Sequence, residues 1–411
     1  MNEQSKRLAV FVTNRRLDDM RSGSAVYLRT CMDAAIQAGY EARIVCIPET
    51  AIGNKVWCKV QSEFSDRAEI LWPSTFKVGQ TYVSTSPSVW GRFIWRLGVA
   101  GLSKLKMNLG GLTKVRSSLG VVPSISELQR TAKIVKDLKP EMVVVEYSSL
   151  GPLFSLLPDV KSKIVFHHDL FSHRAKTFKE SGREPDHFEL SFDEELARFK
   201  HANGFIYASR NELEAVKKQR PDAIHAWLRP MVTTRRDALK PRDEACAVYV
   251  GANHAGNRDA LVHFLDEIWP LVLKDVPSAR LKVVGDIGHA TPSAATTANV
   301  DVLGRIPDLA DLAGPDAIGI ASTRLASGVS IKIAEYLALG MPVVSYPMGV
   351  DGFGSALDAA VLRADTPREY ADHMIELFKS KEKRAQYAEA AFATAETELS
   401  HAGLDSLFVV N

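Results

Sequence analysis

Lys332 and Glu335 stand three residues apart in GVSIKIAEYLALGMPVVSYPMGVDGFG (328–354), inside a run that is otherwise apolar from Ile331 to Leu339. Three apart on a helix means one side of it. Desolvating an unpaired ammonium or carboxylate is costly, so in such a run the two face either a ligand or each other. Gly328, Val329 and Ser330 come just before, where the helix begins. Backbone N–H groups and the helix dipole there suit a diphosphate, to which Lys332 adds a point charge. A second cluster, VFHHDLFSHR (165–174), places His167, His168, Asp169 and Arg174 where an apolar strand ends.

These groups need elements to hold them. RLAVFVTNRRLDDMRSGSAVYLRTCMDAAIQAGYEARIVCI (7–47) is an apolar strand, a polar loop, an amphipathic helix, a stop at Gly39 and a second strand. CAVYVGANHAGNRDALVHFLDEIWPLVLKDVPSARLKVVG (246–285) repeats that order some 240 positions later. Leu261, Phe264, Leu265, Ile268, Leu271 and Val272 mark one helical face there, with Asn257 as the expected N-cap. Strand, loop, helix, parallel strand opens a doubly wound α/β sheet, and two such openings predict two Rossmann-like domains. Short apolar runs at 142–147, 163–168, 204–209, 317–322 and 342–346 supply further buried strands. The polar, proline-containing stretch 229–244 is the expected seam. The spacing assigns 1–230 to a first domain, 231–385 to a second and 386–411 to a helical tail, with the helical stretch 367–400 lying on the surface.

At 411 residues the chain is too long for one ordinary core. Composition is that of a globular protein, with 46% apolar and 24% charged residues and a net charge of +2, which does not imply nucleic acid. Cys31, Cys46, Cys58 and Cys246 are scattered without CxxC or zinc spacing, which fits a reducing compartment. The N-terminus has no signal-peptide pattern and no stretch reaches membrane-spanning length, so the expected location is cytoplasmic. The first βα loop lacks GxGxxG, and neither a Walker A motif nor GxSxG occurs, which disfavours nicotinamide, P-loop and α/β-hydrolase chemistry.

The 328–354 segment, with its G-x-S-I-K-I-A-E-Y-L-A-L-G-x-P-V-V-S pattern, resembles the retaining glycosyltransferases of the GT-B fold known as family GT4. GANHAGNRDALVHFLDEIWPLV, VFHHDLFSHR and the SGSAVYL loop extend the resemblance in order along the chain. The resemblance implies an α/β GT-B architecture of two Rossmann-like domains facing across a cleft. It implies a nucleotide-diphosphate sugar donor held by the second domain, transfer to an acceptor hydroxyl with retention, and a role in polysaccharide or glycolipid assembly. Glu335 matches the second glutamate of the family's E-x7-E motif, a ribose ligand. Ser327 stands where the first glutamate, a donor-sugar contact, is usual. Lys332, Gly251, Arg258 and Gly349 match donor-binding places, with Arg258 standing in for the usual lysine. His168, ahead of Asp169, matches the histidine that points at the transferring sugar. Gly23 and Ser24 match the loop under the phosphates and acceptor, and Arg174 either neutralises phosphate or pairs with Glu180. No D-x-D motif occurs, so neither metal nor cofactor is expected.

Two other classes fit the elements: a nucleotide-sugar epimerase of the same fold, and a non-catalytic binding or scaffold protein, which Ser327 favours. The partners expected are a nucleotide sugar and a glycan or lipid-linked acceptor, without nucleic acid. From Leu71 to Ser126 there is no Asp or Glu, while Lys77, Arg92, Arg96, Lys104, Lys106, Lys114 and Arg116 are interleaved with Trp90, Phe93, Ile94, Trp95, Leu97 and Leu105. This is either a solvated basic face or, through 90–116, a peripheral contact with the inner face of an anionic membrane.

Overall fold

The computed structural model describes residues 7–20, 23–104, 119–185, 187–238, 244–325, 328–400 and 403–408. Ten strands precede residue 230: β1 (Arg7–Thr13), β2 (Tyr40–Cys46), β3 (Trp57–Lys59), β4 (Glu69–Leu71), β5 (Thr75–Val78), β6 (Thr81–Ser84), β7 (Met142–Glu146), β8 (Ser162–His167), β9 (Gly204–Tyr207) and β10 (Ile224–Trp227). Seven of them form a parallel sheet in the order β10-β9-β8-β7-β1-β2-β4. Its central strands, such as β7 (MVVVE), are buried along their whole length, as a sheet covered on both faces requires. A small antiparallel sheet, β3-β6-β5, stands apart.

Six strands follow: β11 (Cys246–Val250), β12 (Leu281–Val284), β13 (Val300–Gly304), β14 (Ala317–Ala321), β15 (Val343–Ser345) and β16 (Val361–Arg363). They form a second parallel sheet, β13-β12-β11-β14-β15-β16. Each sheet reverses its winding direction once, between β1 and β7 in the first and between β11 and β14 in the second. At such a switch point the connections leave in opposite directions and open a crevice beyond the strands' carboxyl ends, where α/β proteins bind ligands.

At the C-terminus the helices Pro367–Lys379 and Lys381–Glu398 lie on the second domain with one face exposed and the other buried through Tyr370, Met374 and Leu377, then Ala391, Phe392 and Ala395. The end of the chain is helical over Asp405–Phe408. Leu404, Leu407 and Phe408 cross back into the first domain's core, where Phe408 meets Tyr40 edge-on. Short apolar side chains at helical spacing bury a face even in an Ala/Glu-rich sequence.

The expected N-cap moves. His254 caps the helix Ala255–His263, its Nδ1 accepting from the Asn257 N–H. The apolar face expected beyond it is buried, apart from the half-buried Leu271, as a π-turn over Phe264–Ile268 passes into the helix Trp269–Asp275. Pro270, without an N–H, cannot continue the regular ladder there. All four cysteines are buried and free. Among the described residues, no helix is long and apolar enough to cross a membrane.

Candidate active site

The two crevices face each other and enclose a cleft of about 500 Å³. Its second-domain wall is the helix Ile331–Ala338, locked down by Tyr336, whose hydroxyl takes the Val250 N–H at 2.9 Å. Ile333, Ala334, Tyr336 and Leu337 are buried, which leaves Lys332 and Glu335 on the side toward the cleft. They do not form an ion pair. Lys332 Nζ donates to Asn257 Oδ1 at 3.1 Å and lies 4.7 Å from the centre of the Tyr249 ring. Burial lowers the Lys332 ammonium to about 8, with Glu335 opposing the shift, and burial raises the Glu335 carboxyl. The Glu335 side chain is reached by solvent through the open cleft although protein surrounds it on most sides.

Gly328, Val329 and Ser330 lead into this helix along the cleft, and no side chain caps its start. Gly328 has φ +73°, and a Cβ there would stand 2.5 Å from Asp169 Oδ1 and from the His168 carbonyl, so only glycine serves. Gly23 lies opposite, where a Cβ would press on the tip of the Ile331 side chain. Gly251 directly follows β11 in the cleft wall, beside Asn257.

The first-domain wall is a connected set of side chains at the ends of β1, β7 and β8. His168 Nε2 is 2.8 Å from Glu146 Oε1, and the Thr13 hydroxyl donates to Glu146 Oε2. Arg15 Nη1 lies 3.6 Å from Glu146 Oε1, and its Nη2 donates to Ser24 Oγ at 2.8 Å. Burial pushes the Glu146 carboxyl up, but Arg15, His168 and Thr13 together outweigh it and hold the group below the usual carboxylate range. Tyr147 follows at φ 65°, ψ 156°, a backbone state costing about 1–3 kcal/mol for a side-chain-bearing residue. Its ring lies 4.8 Å from that of His168 and stacks on Phe171 at 5.5 Å. Asp169 and Arg174 line the same wall, 3.6 Å apart.

The structure therefore brings together His168, Asp169, Arg174, Gly23, Ser24, Gly251, Gly328, Val329, Ser330, Lys332 and Glu335. Arg258 and Gly349 are not in the cleft wall. Arg258 is exposed and bonds Asn253 Oδ1 at 2.5 Å, because the His254 cap turns Asn257 inward and the next residue out. Gly349 is buried against Ser345 Oγ. Arg174 pairs with Asp169, while Lys176 takes Glu180. Ser327 lies outside the described residues. The residues missed were Asn257, Thr13, Arg15, Glu146 and Tyr147. Only Glu146 had a signal, a lone carboxylate ending an apolar strand beside the switch point.

Residues 244–380 match the family model described as Glycosyl transferases group 1. The second domain is a group 1 glycosyl transferase domain. Solved structures covering nearly the whole chain share its two-domain architecture, so the fold is GT-B. Sucrose-phosphate synthase from Thermosynechococcus elongatus shares 12% identity at a TM-score of 0.62, over 98% of this chain and 96% of its own. A trehalose-phosphate synthase (UDP-forming) from Burkholderia vietnamiensis shares 15% at 0.59, over 98% of each chain. WaaG, a glycosyltransferase involved in lipopolysaccharide biosynthesis, shares 11% at 0.58, again over 98% of each. No curated protein matches the sequence significantly. The glycosyltransferase motif thus lies in the second domain, and the first-domain wall falls outside the matched segment.

Proposed function

We propose that this protein takes a sugar from a nucleotide-diphosphate donor and places it, with retention, on a hydroxyl of a glycan or lipid-linked acceptor, as in surface-polysaccharide assembly. The observation that carries the reading is Lys332 beside an uncapped helix start, across one cleft from His168. In the reaction the bond from the anomeric carbon to the diphosphate oxygen breaks with its electron pair staying on the phosphate. The sugar passes through an oxocarbenium-like state, and the acceptor oxygen forms the new bond as its proton leaves. Charge grows on the diphosphate, where Lys332 and the N–H groups of residues 329–331 stand at the helix start, the Gly328 N–H being given to Glu212. Glu335 is proposed to accept from the ribose hydroxyls. Since these groups meet the leaving charge, transfer is expected to proceed without a divalent metal and to survive EDTA. A thermal-shift panel of UDP, GDP, ADP, CMP and NAD tests the donor class. One nucleoside diphosphate should raise the melting temperature of the wild type and not of Glu335→Ala; no shift with any of them would sink the proposal.

The acceptor side supports a peripheral membrane contact. The helix Pro87–Lys104 exposes Trp90, Ile94, Trp95 and Leu97, and Trp57 of β3 joins them through Phe93, 5.8 Å from one ring and 6.4 Å from the other. A helix apolar on its outward face needs a cover. Lys77, Arg92 and Arg96 flank it, Arg92 being 3.5 Å from Glu49. Lys106, Lys114, Arg116 and Leu105 lie outside the described residues. Binding to vesicles should require anionic lipid and weaken with salt, and indifference to both would exclude this contact.

A further inference from the structure

Glu146 is fully buried at the end of β7, behind the cleft, and lies outside the segment matched to the glycosyl transferase family. A buried carboxylate is costly unless several donors meet it. Here two do, the Thr13 hydroxyl on Oε2 and His168 Nε2 on Oε1, and the Arg15 guanidinium adds an opposite charge 3.6 Å from Oε1. An ionised carboxylate only accepts, so the imidazole nitrogen 2.8 Å from it must carry a proton. In the neutral ring the other nitrogen is then an acceptor. That atom, His168 Nδ1, is buried in the cleft wall and has no protein partner. Buried ring nitrogens are ordinarily satisfied, so an orphan in a cleft wall awaits a donor from the ligand.

We propose that Glu146 is a positioning residue that keeps the His168 proton on Nε2 and so presents Nδ1 as a hydrogen-bond acceptor to a substrate hydroxyl in the cleft. Rotation of the imidazole is blocked from three sides. The Phe166 ring lies 4.0 Å away, Tyr147 4.8 Å and Tyr27 6.2 Å, centroid to centroid. The strained Tyr147 backbone directly follows Glu146 and holds one of these walls. The carboxylate fixes the tautomer and the aromatics fix the plane. The ligand is thereby required to donate at this point: a hydroxyl fits, whereas its deoxy or O-methyl analogue leaves Nδ1 orphaned.

The proposal rests on the glycosyl-transfer reading for its substrate, but its first test does not. Histidine-15N-labelled full-length protein, with the signal assigned through His168→Gln, reports the tautomer directly by long-range 1H–15N correlation. Nε2–H is expected in the wild type; Nδ1–H would overturn the proposal whatever the protein's activity. Glu146→Gln keeps a carbonyl oxygen facing Nε2 and should keep the tautomer, whereas Glu146→Leu should give a mixture. In turnover, Glu146→Leu should lower kcat about 10- to 100-fold, the worth of one or two oriented hydrogen bonds, with a smaller change in donor KM. Glu146→Gln should recover part of that loss. A folded Glu146→Leu with wild-type kcat, or a Gln variant that keeps the tautomer yet is as impaired as Leu, would show that the contact is structural only. If Glu146→Leu does not fold, the wild-type tautomer and the Gln variant decide.

Discussion

In the second domain the cleft wall sets the backbone of Gly251 and the 328–330 segment beside Lys332, Asn257 and Glu335, whereas in the first domain a buried network of side chains runs behind it from Thr13 through Glu146 to His168. The first kind of wall suits an anion, because N–H groups and a point charge attract any diphosphate at a modest requirement for geometry. The second kind suits a directed contact, since both oxygens of Glu146 are met and Nδ1 of His168 is left facing the cleft. A backbone wall is also the easier one to recognise from sequence, because glycine and helix-start positions keep fixed spacing. The family match to 244–380 covers the domain that carries the first kind of wall.

The largest effect expected on this contrast comes from Lys332. Lys332→Met keeps an unbranched apolar side chain and removes the ammonium that lies over Tyr249. Calorimetric affinity for the matching nucleoside diphosphate should fall about 10- to 100-fold, the range of a charge-assisted hydrogen bond. An unchanged affinity would mean that the second wall binds through backbone alone. Substitution of His168 should leave that affinity nearly as it was, if the two walls divide their work as described.

A pH titration sharpens the same point. In the free protein Lys332 is lowered to about 8, first by burial, against the pull of Glu335. An anion at the site favours the charged form, so above about 8 binding must take up a proton. Diphosphate affinity should therefore weaken as pH rises through about 8, and Lys332→Met should abolish that slope. For folding the sign is the reverse: the lowered ammonium is a burden that lightens as pH rises from about 8 toward the ordinary 10.5. A slope of the same size in the variant would assign it to another group.

Much of this was legible in the residues. Strand–loop–helix–strand order fixed both Rossmann-like halves, because buried parallel strands are written as unbroken apolar runs such as MVVVE and AIGIA. Lys332 and Glu335 stood out because charge inside an apolar helix demands an explanation. What stayed hidden depended on three-dimensional neighbours. Asn257 looked like a cap because its type suits one, but His254 reached the position first and freed Asn257 for Lys332. Arg258 and Asn257 are adjacent in sequence, and only the phase of their helix decides which one sees the cleft. Thr13 and Arg15 precede Glu146 by more than 130 residues and meet it only because β1 and β7 are neighbours at the switch point.

The smallest effect concerns a second buried carboxylate, where the two domains touch. Glu212 accepts the Leu170 N–H at 3.1 Å and, from the other domain, the Gly328 N–H at 3.2 Å, both on Oε1. Oε2 has no partner. Nearby Glu195 is also buried, but four donors meet it: the Ser148 and Ser172 hydroxyls and the Phe171 and Ser172 N–H groups. Burial first, then Asp169, raises the Glu212 carboxyl well above the carboxylate range, so the folded protein holds it protonated where the unfolded chain would ionise. The native state then binds the extra proton, and stability contributed here declines as pH rises above the ordinary carboxylate value. Glutamine mimics the protonated acid, keeping one carbonyl oxygen for both N–H groups. Glu212→Gln should thus match the wild type near pH 5 and exceed its melting temperature progressively toward pH 8, with little change in catalysis. A variant less stable at every pH would mean that Glu212 is ionised in the fold and that its charge helps hold Gly328, and the second wall, against the first.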